Sequence, residues 1–256
     1  MEQQEPWNSH ALNQWLLDTF LNTSGAPRND KSWFDQCIRT TIIEEIEKTG
    51  KIPVVGLCGR AGSGKDSALG YFVTKSTPEE HMVNEFFCSN MFCIHTAFAE
   101  ALKDIAKIFG FTQAQLTDRK LKEEPDTFWG ISPRKFLQMA GTEMFRKVWR
   151  EDVWVKVLEK KIEDIRSTAS KPSIIFVTDV RFPNEAEAIK RLGGIVIRVK
   201  RPNNPLAIDA THDSERFVES MEVDAEISND CKNATEWSWK FAKQLIQTFK
   251  PGAFWR

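Results

Sequence analysis

The chain has 256 residues, and its 35 basic side chains nearly balance its 36 acidic ones. This length suits one large domain or one domain with an insertion. A content of 41% apolar and 28% charged residues is typical of a soluble globular protein. The near-zero net charge offers no long-range positive field for collecting nucleic acid, so we expect no nucleic-acid partner.

No apolar run in the sequence approaches the roughly 20 residues that cross a bilayer. The acidic and polar start also lacks the pattern of a signal peptide. We therefore expect a cytosolic protein without a membrane partner. Five cysteines, an odd number without a Cys-x-x-Cys pair, favour buried free thiols over disulfide or metal roles: Cys37, Cys58, Cys88, Cys93 and Cys231.

The first 50 residues carry apolar side chains at three- and four-residue spacing, which predicts an N-terminal helical extension (1–50). Beyond it, short apolar runs alternate with helical patterns. Predicted strands cover residues 52–58, 91–97, 173–178, 195–199 and 224–228; predicted helices cover 66–74, 99–109, 132–150, 153–167 and 234–248. This order predicts an α/β fold with a mainly parallel sheet covered by helices on both faces.

The charged stretch from about 112 to 129 predicts an exposed helical insertion or lid, although a solvated surface helix would show the same pattern. At Ser132, a capping residue precedes Pro133, and this pair predicts the start of the long helix that runs to Arg150.

Residues 59–67 read Gly-Arg-Ala-Gly-Ser-Gly-Lys-Asp-Ser, which fits the phosphate-loop pattern G-x-x-x-x-G-K between a buried strand and a helix. Glycines such as Gly62 and Gly64 let the backbone turn its amides toward phosphate oxygens, and Lys65 supplies a mobile positive charge. The pattern predicts nucleotide binding, but alone it does not distinguish a kinase from another nucleotide-binding protein.

The position that usually holds a magnesium-binding hydroxyl is occupied by Asp66, and Ser67 follows one residue later. A hydroxyl one residue late resembles the Gly-Lys-Gly-Thr arrangement of nucleoside monophosphate kinases. We expect Ser67 and Asp66 to hold Mg²⁺, Asp66 through water, although Asp66 could instead cap the helix that begins there.

The 173–178 strand is followed by Asp179 and Arg181, at the edge of a parallel sheet where ligands bind. Arg181 can clamp a phosphate, and Asp179 can accept from a sugar hydroxyl or base or hold hydrated magnesium. A salt bridge at the strand end is the alternative. On the predicted 132–150 helix, a spacing of 100° per residue places Arg134, Gln138 and Gly141 on one face, with Thr142 at its margin.

Six segments occur in order: residues 59–67, Phe98-Ala-Glu-Ala-Leu-Lys103, Ser132-Pro-Arg-Lys-Phe-Leu-Gln-Met-Ala-Gly-Thr142, Asp152-Val-Trp154, Asp179-Val-Arg-Phe-Pro-Asn-Glu185 and Thr211-His-Asp-Ser-Glu215. Together they resemble the deoxynucleoside monophosphate kinases of tailed phages and other large DNA viruses. The resemblance implies a P-loop kinase domain at 51–256, with a helical substrate or lid region at about 112–150. It also implies ATP as donor, Mg²⁺, a deoxynucleoside monophosphate acceptor, a homodimer and a location in the host cytoplasm if the protein is viral.

Within that resemblance, Gly64, Lys65, Asp66 and Ser67 match the family's ATP loop. The positions that match its monophosphate site are Arg134, Gly141, Thr142, Trp154, Asp179, Arg181, Glu185 and, more weakly, Thr211. Trp154 could stack on a base or belong to the core. Lys65, Arg134, Arg181 and Asp179 are the predicted catalytic residues, and Arg119 or Lys122 could close over the phosphates.

Other functions fit parts of the sequence. The chain has no Asn-Lys-x-Asp motif of GTPases and no apolar strand ending in the adjacent acids of large ATPases. A P-loop kinase for dephospho-coenzyme A or phosphomevalonate stays open, as does an assembly or packaging component that hydrolyses ATP with partners. The accepted base depends on a few pocket contacts, which the sequence alone does not identify.

Overall fold

A six-stranded sheet forms the centre of the computed structural model, which describes residues 31–72, 83–85, 91–202 and 217–250. The strands follow the order β2-β3-β4-β1-β5-β6 across the sheet. Strands β3, β4, β1, β5 and β6 are parallel, and the short edge strand β2 is antiparallel to β3. Their bounds are β1 Val54–Cys58, β2 Val83–Glu85, β3 Phe92–Thr96, β4 Ser173–Val180, β5 Ile195–Lys200 and β6 Ala225–Ser228.

Helices cover both faces of this sheet, and the predicted α/β class with a mainly parallel sheet is confirmed. The helices are α1 Lys31–Thr49, α2 Lys65–Ala68 with a 3₁₀ turn Leu69–Tyr71, α3 Glu100–Ile108, α4 Gln113–Thr117, α5 Pro133–Gln138, a π-helix Met139–Trp149, α6 Val153–Thr168, α7 Pro183–Arg191 and α8 Ala234–Phe249. None of the helices within the described residues is long and apolar enough to span a bilayer.

The central strand β1 is buried along its whole length, which explains its continuous apolar sequence. Its side chains alternate between two cores. Val55 and Leu57 pack with α1, α2 and α8, whereas Val54 and Cys58 pack with α3, α5, α6 and α7. The sheet is therefore a partition between two separately packed layers of helices.

Helix α1, from the predicted N-terminal extension, belongs to the first of these cores. Cys37, Ile38 and Ile42 are almost fully buried there. Residues 1–30 lie outside the described part of the chain, and the division at residue 50 stays a prediction. Free thiols are confirmed at Cys37, Cys58, Cys93 and Cys231, of which the first three are buried; Cys88 lies outside the described residues.

The predicted long helix from Ser132 toward Arg150 is present, but the expected α-helical spacing along its whole length was wrong. After α5 the chain widens into a π-helix, in which Arg150 N–H donates to the carbonyl of Phe145, five residues back. The spacing of 100° per residue therefore does not apply beyond Gln138. Gly141 lies in this segment, where a Cβ atom would approach Leu102 Cδ2 of α3 to 2.7 Å. The absence of a side chain there lets the π-helix pack closely on α3.

The predicted helical insertion at 112–129 is helical only at α4. A capping box starts this helix, because Thr112 Oγ1 accepts from the Gln115 amide and Gln115 Oε1 accepts from the Thr112 amide. The remainder consists of turns because Asp118 and Asp126 accept hydrogen bonds from nearby backbone amides, an alternative to helical pairing.

Candidate active site

The loop between β1 and α2, residues 59–64, has a backbone shape that requires glycine. Gly62 has a φ of +75° and Gly64 a φ of +95°. A Cβ atom on Gly64 would lie 2.4 Å from Asn229 Nδ2, and one on Gly59 would lie 2.4 Å from the carbonyl oxygen of Val199. The phosphate loop, as we call residues 59–64, is therefore closely enclosed by the ends of β5 and β6.

Three side chains from the C-terminal part of the chain bind carbonyl groups of the phosphate loop. Asn229 Nδ2 donates to Ser63 O at 2.9 Å, and Trp237 Nε1 donates to Gly64 O at 2.8 Å. Arg201 Nη1 donates to Gly62 O at 3.2 Å. These contacts fix the loop from outside, and sequence reasoning missed all three. The available signal was weak: Asn229 directly follows the predicted last strand.

The Lys65 side chain folds back over the phosphate loop. Its Nζ donates to Gly59 O at 2.5 Å and to Arg60 O at 3.1 Å. Helix α2 has Gly64 as its N-cap, so Asp66 and Ser67 lie inside its first turn, where both are exposed. A carboxylate and a hydroxyl beside a phosphate loop are oxygen donors of the kind that hydrated Mg²⁺ takes.

The ends of β1 and β4 lie side by side, because Cys58 pairs with Val180 in the parallel register. The phosphate loop and the Asp179–Arg181 segment therefore leave the sheet at the same edge. The charges that act on His95 also indicate that the helix after the phosphate loop lies close to the end of β4. Burial lowers the pKa of His95, while the negative charges of Asp66 and Asp179 act together to raise it. The carboxylates of Asp66 in α2 and Asp179 in β4 thus act on the same imidazole.

Asp179 links β4 to the start of α3. Its two carboxylate oxygens accept from the backbone amides of Phe98, at 2.7 Å, and Ala99, at 2.9 Å. The residue therefore has a structural function at the junction of β4 and α3. A carboxylate keeps further lone pairs beyond these two hydrogen bonds. The predicted contact of Asp179 with a sugar hydroxyl, base or magnesium stays a prediction.

The buried Glu185 carboxylate binds the backbone amide of Arg181. Its Oε2 accepts from the amides of Arg181, at 2.8 Å, and Phe182, at 3.1 Å, and its Oε1 forms an ion pair with Arg146. The Arg146 guanidinium lies 4.2 Å from the centre of the Phe182 ring. Burial raises the pKa of Glu185 to about 7. No sequence pattern pointed to Arg146, which is on the π-helix.

Positive side chains from four elements lie close enough to act on one another beside the end of β4. They are Lys103 of α3, Lys122 of the 118–125 turn, Arg134 of α5 and Arg181 after β4, which we call the cation cluster. The pKa of Lys122 is lowered to about 8, first by burial and then by the positive charges of Lys103, Arg134 and Arg181. Arg134 also forms an ion pair with Glu123 at the surface. Such a concentration of positive charge suits a phosphate ligand.

The other predicted site residues are distributed differently. Trp154 is 5% exposed, and its Nε1 donates to Gly141 O at 3.0 Å. Its ring also packs on Phe145, with centroids 5.1 Å apart. These contacts give Trp154 and Gly141 a packing role. Gln138 and Thr142 are half-buried, Arg119 is exposed, and Thr211 lies outside the described residues.

Comparison with known proteins gave consistent matches. The family model described as deoxynucleotide monophosphate kinase matches residues 61–235. A putative deoxynucleotide monophosphate kinase of Acanthamoeba polyphaga mimivirus is 29% identical over 195 residues, which cover 66% of this chain and 86% of the relative. The deoxynucleoside-5'-monophosphate kinase of Escherichia phage T5 is 32% identical over 104 residues, 39% of this chain and 40% of that protein. The uncharacterized protein ORF77 of Ictalurid herpesvirus 1 (strain Auburn) is 27% identical over 192 residues, 73% of this chain and 68% of that protein.

Proposed function

The chain belongs to the deoxynucleotide monophosphate kinase family, and we propose that Lys65 and the cation cluster perform its phosphoryl transfer. In this proposal the phosphate loop binds ATP, and Arg134 and Arg181 bind the phosphate of the deoxynucleoside monophosphate. The observation that carries the proposal is the β1–β4 register, in which Cys58 pairs with Val180. It brings the phosphate loop and Arg181 to one edge of the sheet.

On the donor side, backbone amides of the phosphate loop and the Lys65 ammonium contact the terminal phosphates of ATP. Lys65 exchanges its bonds to the Gly59 and Arg60 carbonyls for phosphate oxygens. Ser67 and Asp66 would hold Mg²⁺, Asp66 through water. When bound, the ion neutralises charge on the phosphates of the donor.

On the acceptor side, Arg134 and Arg181 hold the monophosphate in line with the donor. Phosphoryl transfer has a loose transition state, so alignment and charge neutralisation supply most of the catalysis. Asp179 offers its remaining lone pairs to a sugar hydroxyl. Half-buried Gln138 and Thr142 line the acceptor site, whereas Gly141, Trp154 and Glu185 contribute through packing and backbone positioning. Thr211 completes the proposed set.

We also propose a homodimer in the cytosol. Exposed apolar side chains are available for such an association, among them Ile108, Phe128 and Val148, which are 84%, 82% and 82% exposed. Analytical ultracentrifugation of the full chain tests this part, because a monomer at micromolar concentration contradicts it.

The decisive experiment measures ADP formation by the isolated chain with ATP, Mg²⁺ and each of the four common deoxynucleoside monophosphates. We expect ADP and the matching deoxynucleoside diphosphate in equal amounts. Dephospho-coenzyme A and phosphomevalonate serve as comparison acceptors. Activity with one of these alone contradicts the proposal, as does ATP hydrolysis that no acceptor stimulates.

A further inference from the structure

The turn at 118–125 is attached directly to the helix that carries Arg134. Lys122 N–H donates to Asp118 O at 3.1 Å, and the Lys122 carbonyl accepts from Arg134 N at 3.0 Å. The Asp118 carboxylate holds the first part of the turn through the amides of Lys120 and Leu121, both at 2.9 Å. The position of Lys122 is therefore coupled to that of Arg134.

Lys122 is directed inward from this turn. In the stretch 117–125, all of which the structure describes, Lys122 alone is half-buried and the other residues are exposed. The charged groups that act on it are Lys103 from α3, Arg134 from α5, Arg181 after β4 and Glu123 from its own turn. Of these, only Glu123 is negative, and its carboxylate is paired with Arg134.

We propose that Lys122 is a third binding residue for the acceptor phosphate, and that Glu123 holds Arg134 until that phosphate displaces it. This inference rests on the proposed function, since it places the acceptor phosphate at the cation cluster. It assigns the two neighbouring residues opposite effects on acceptor affinity. Lys122 strengthens binding of the monophosphate, and Glu123 weakens it by competing for Arg134.

The competition favours the phosphate for physical reasons. The ion pair between Arg134 and Glu123 is solvent-accessible, and pairs of this kind are weak. A phosphate carries more negative charge than a carboxylate and can accept two parallel hydrogen bonds from a guanidinium. Bound phosphate also brings negative charge to Lys122, which opposes the repulsion from Lys103, Arg134 and Arg181 and keeps the amine protonated.

The test of Lys122 compares Lys122→Met with Lys120→Met, a control two residues away whose side chain is exposed and faces Glu124. Steady-state kinetics use the best of the four deoxynucleoside monophosphates as acceptor. We expect Lys122→Met to raise the acceptor KM about 10- to 100-fold, the loss typical of a hydrogen bond to a charged group, with little change in the KM for ATP. Equal acceptor KM values for the two variants would overturn the proposal.

Acceptor kcat/KM measured over a range of pH shows whether the charged Lys122 amine binds the phosphate or whether Lys122 only supports the structure of the turn. Because the pKa of Lys122 is about 8, the free enzyme loses this charge as the pH rises through 8, and acceptor kcat/KM falls with it. Lys122→Arg keeps its charge at every pH in this range, so we expect near-normal activity at pH 7 and a smaller decline between pH 7 and 9. A decline that is identical in Lys122→Arg contradicts the assignment.

The test of Glu123 compares Glu123→Gln with Glu124→Gln. Loss of an exposed ion pair corresponds to at most about a fivefold change, so Glu123→Gln should lower the acceptor KM by about two- to fivefold. Glu124→Gln should leave it unchanged. An unchanged or higher KM in Glu123→Gln overturns the competition. If the unmodified chain phosphorylates no deoxynucleoside monophosphate, the proposed function itself fails; if it does so normally, failure of these variants concerns this inference alone.

Discussion

The phosphate loop takes its shape from the backbone, whereas the cation cluster consists of side chains from four separate elements. In the loop, glycines with positive φ and hydrogen bonds from Asn229 and Trp237 fix the carbonyls. In the cluster, the positive charges of Lys103, Arg134 and Arg181 act against that of Lys122, and Glu123 is paired with Arg134. The donor side is thus prearranged, whereas a phosphate bound on the acceptor side would oppose the repulsion among its cations.

The largest effect is expected for Lys65→Ala, which removes the mobile charge of the donor side. We expect kcat to fall by about 1,000-fold, comparable to the loss of a transition-state charge clamp in other phosphoryl transfers. Thermal unfolding should change little because the half-buried Lys65 side chain binds carbonyl groups of the loop and is not part of either apolar core. Lys51→Ala, exposed just before β1, serves as the control. Near-normal turnover in a folded Lys65→Ala protein contradicts the assignment of the loop.

Arg181→Ala tests whether the two sides act separately. We expect the acceptor KM to rise about 10- to 100-fold, since a charge-assisted hydrogen bond is lost, with nearly unchanged ATP affinity. The control is Arg191→Ala, at the exposed end of α7. Calorimetric titration with ATP and steady-state kinetics provide both values. If ATP affinity falls while acceptor kinetics stay normal, the two sites have been assigned in reverse.

Trp237→Phe tests whether the hydrogen bond from Trp237 to the phosphate loop supports ATP binding. The change keeps an aromatic ring but removes the N–H that donates to Gly64 O. We expect ATP affinity to fall about two- to tenfold, in line with one neutral hydrogen bond, and the acceptor KM to change less. Trp239→Phe on the same helix is the matched control. A loss of ATP affinity that is equal in both variants would show that the effect comes from the helix and not from the hydrogen bond.

The smallest expected effect is the change of acceptor kcat/KM with pH that the titration of Glu185 causes. Its pKa is raised to about 7, so the carboxylate protonates as the pH falls below 7 and loosens its hold on Arg181. Acceptor kcat/KM should therefore decline below pH 7. The contribution to folding stability has the opposite sign: with the folded pKa raised above 4.5, stability from this group is present at low pH and lost as the pH rises through 7.

The phosphate of the substrate also titrates near neutral pH, and it does so equally with the unmodified protein and with the Glu185→Gln variant. A comparison of the two proteins therefore isolates the contribution of Glu185. The variant should show a flatter acceptor profile between pH 5.5 and 7.5 and, without substrate, a flatter dependence of melting temperature on pH. If the pH profiles of the variant are steeper than or identical to those of the unmodified protein, Glu185 does not control the acceptor side through its hydrogen bond to the Arg181 amide.

The sequence by itself determined the features whose residues are close together in the chain. The phosphate loop and the three residues after it form one motif of nine consecutive residues, 59–67, so its glycines and lysine could be identified directly. The buried strands were evident from continuous apolar runs such as that of β1, and the alternation of strands and helices indicated a parallel sheet. Arg181 was predicted from its place after the 173–178 strand and Arg134 from its place on the predicted 132–150 helix, and the family resemblance assigned both to the monophosphate site.

Only the tertiary structure brought together residues that are far apart in the chain. Lys103, Lys122, Arg134 and Arg181 meet because β4 lies beside β1 and α3 packs against α5 and the π-helix. Arg146 reaches Glu185 from a π-helix whose spacing no α-helical pattern predicts. Sequence periodicity describes one face of one element, whereas such contacts depend on strand register and on close packing between elements, as at Gly141 and Leu102.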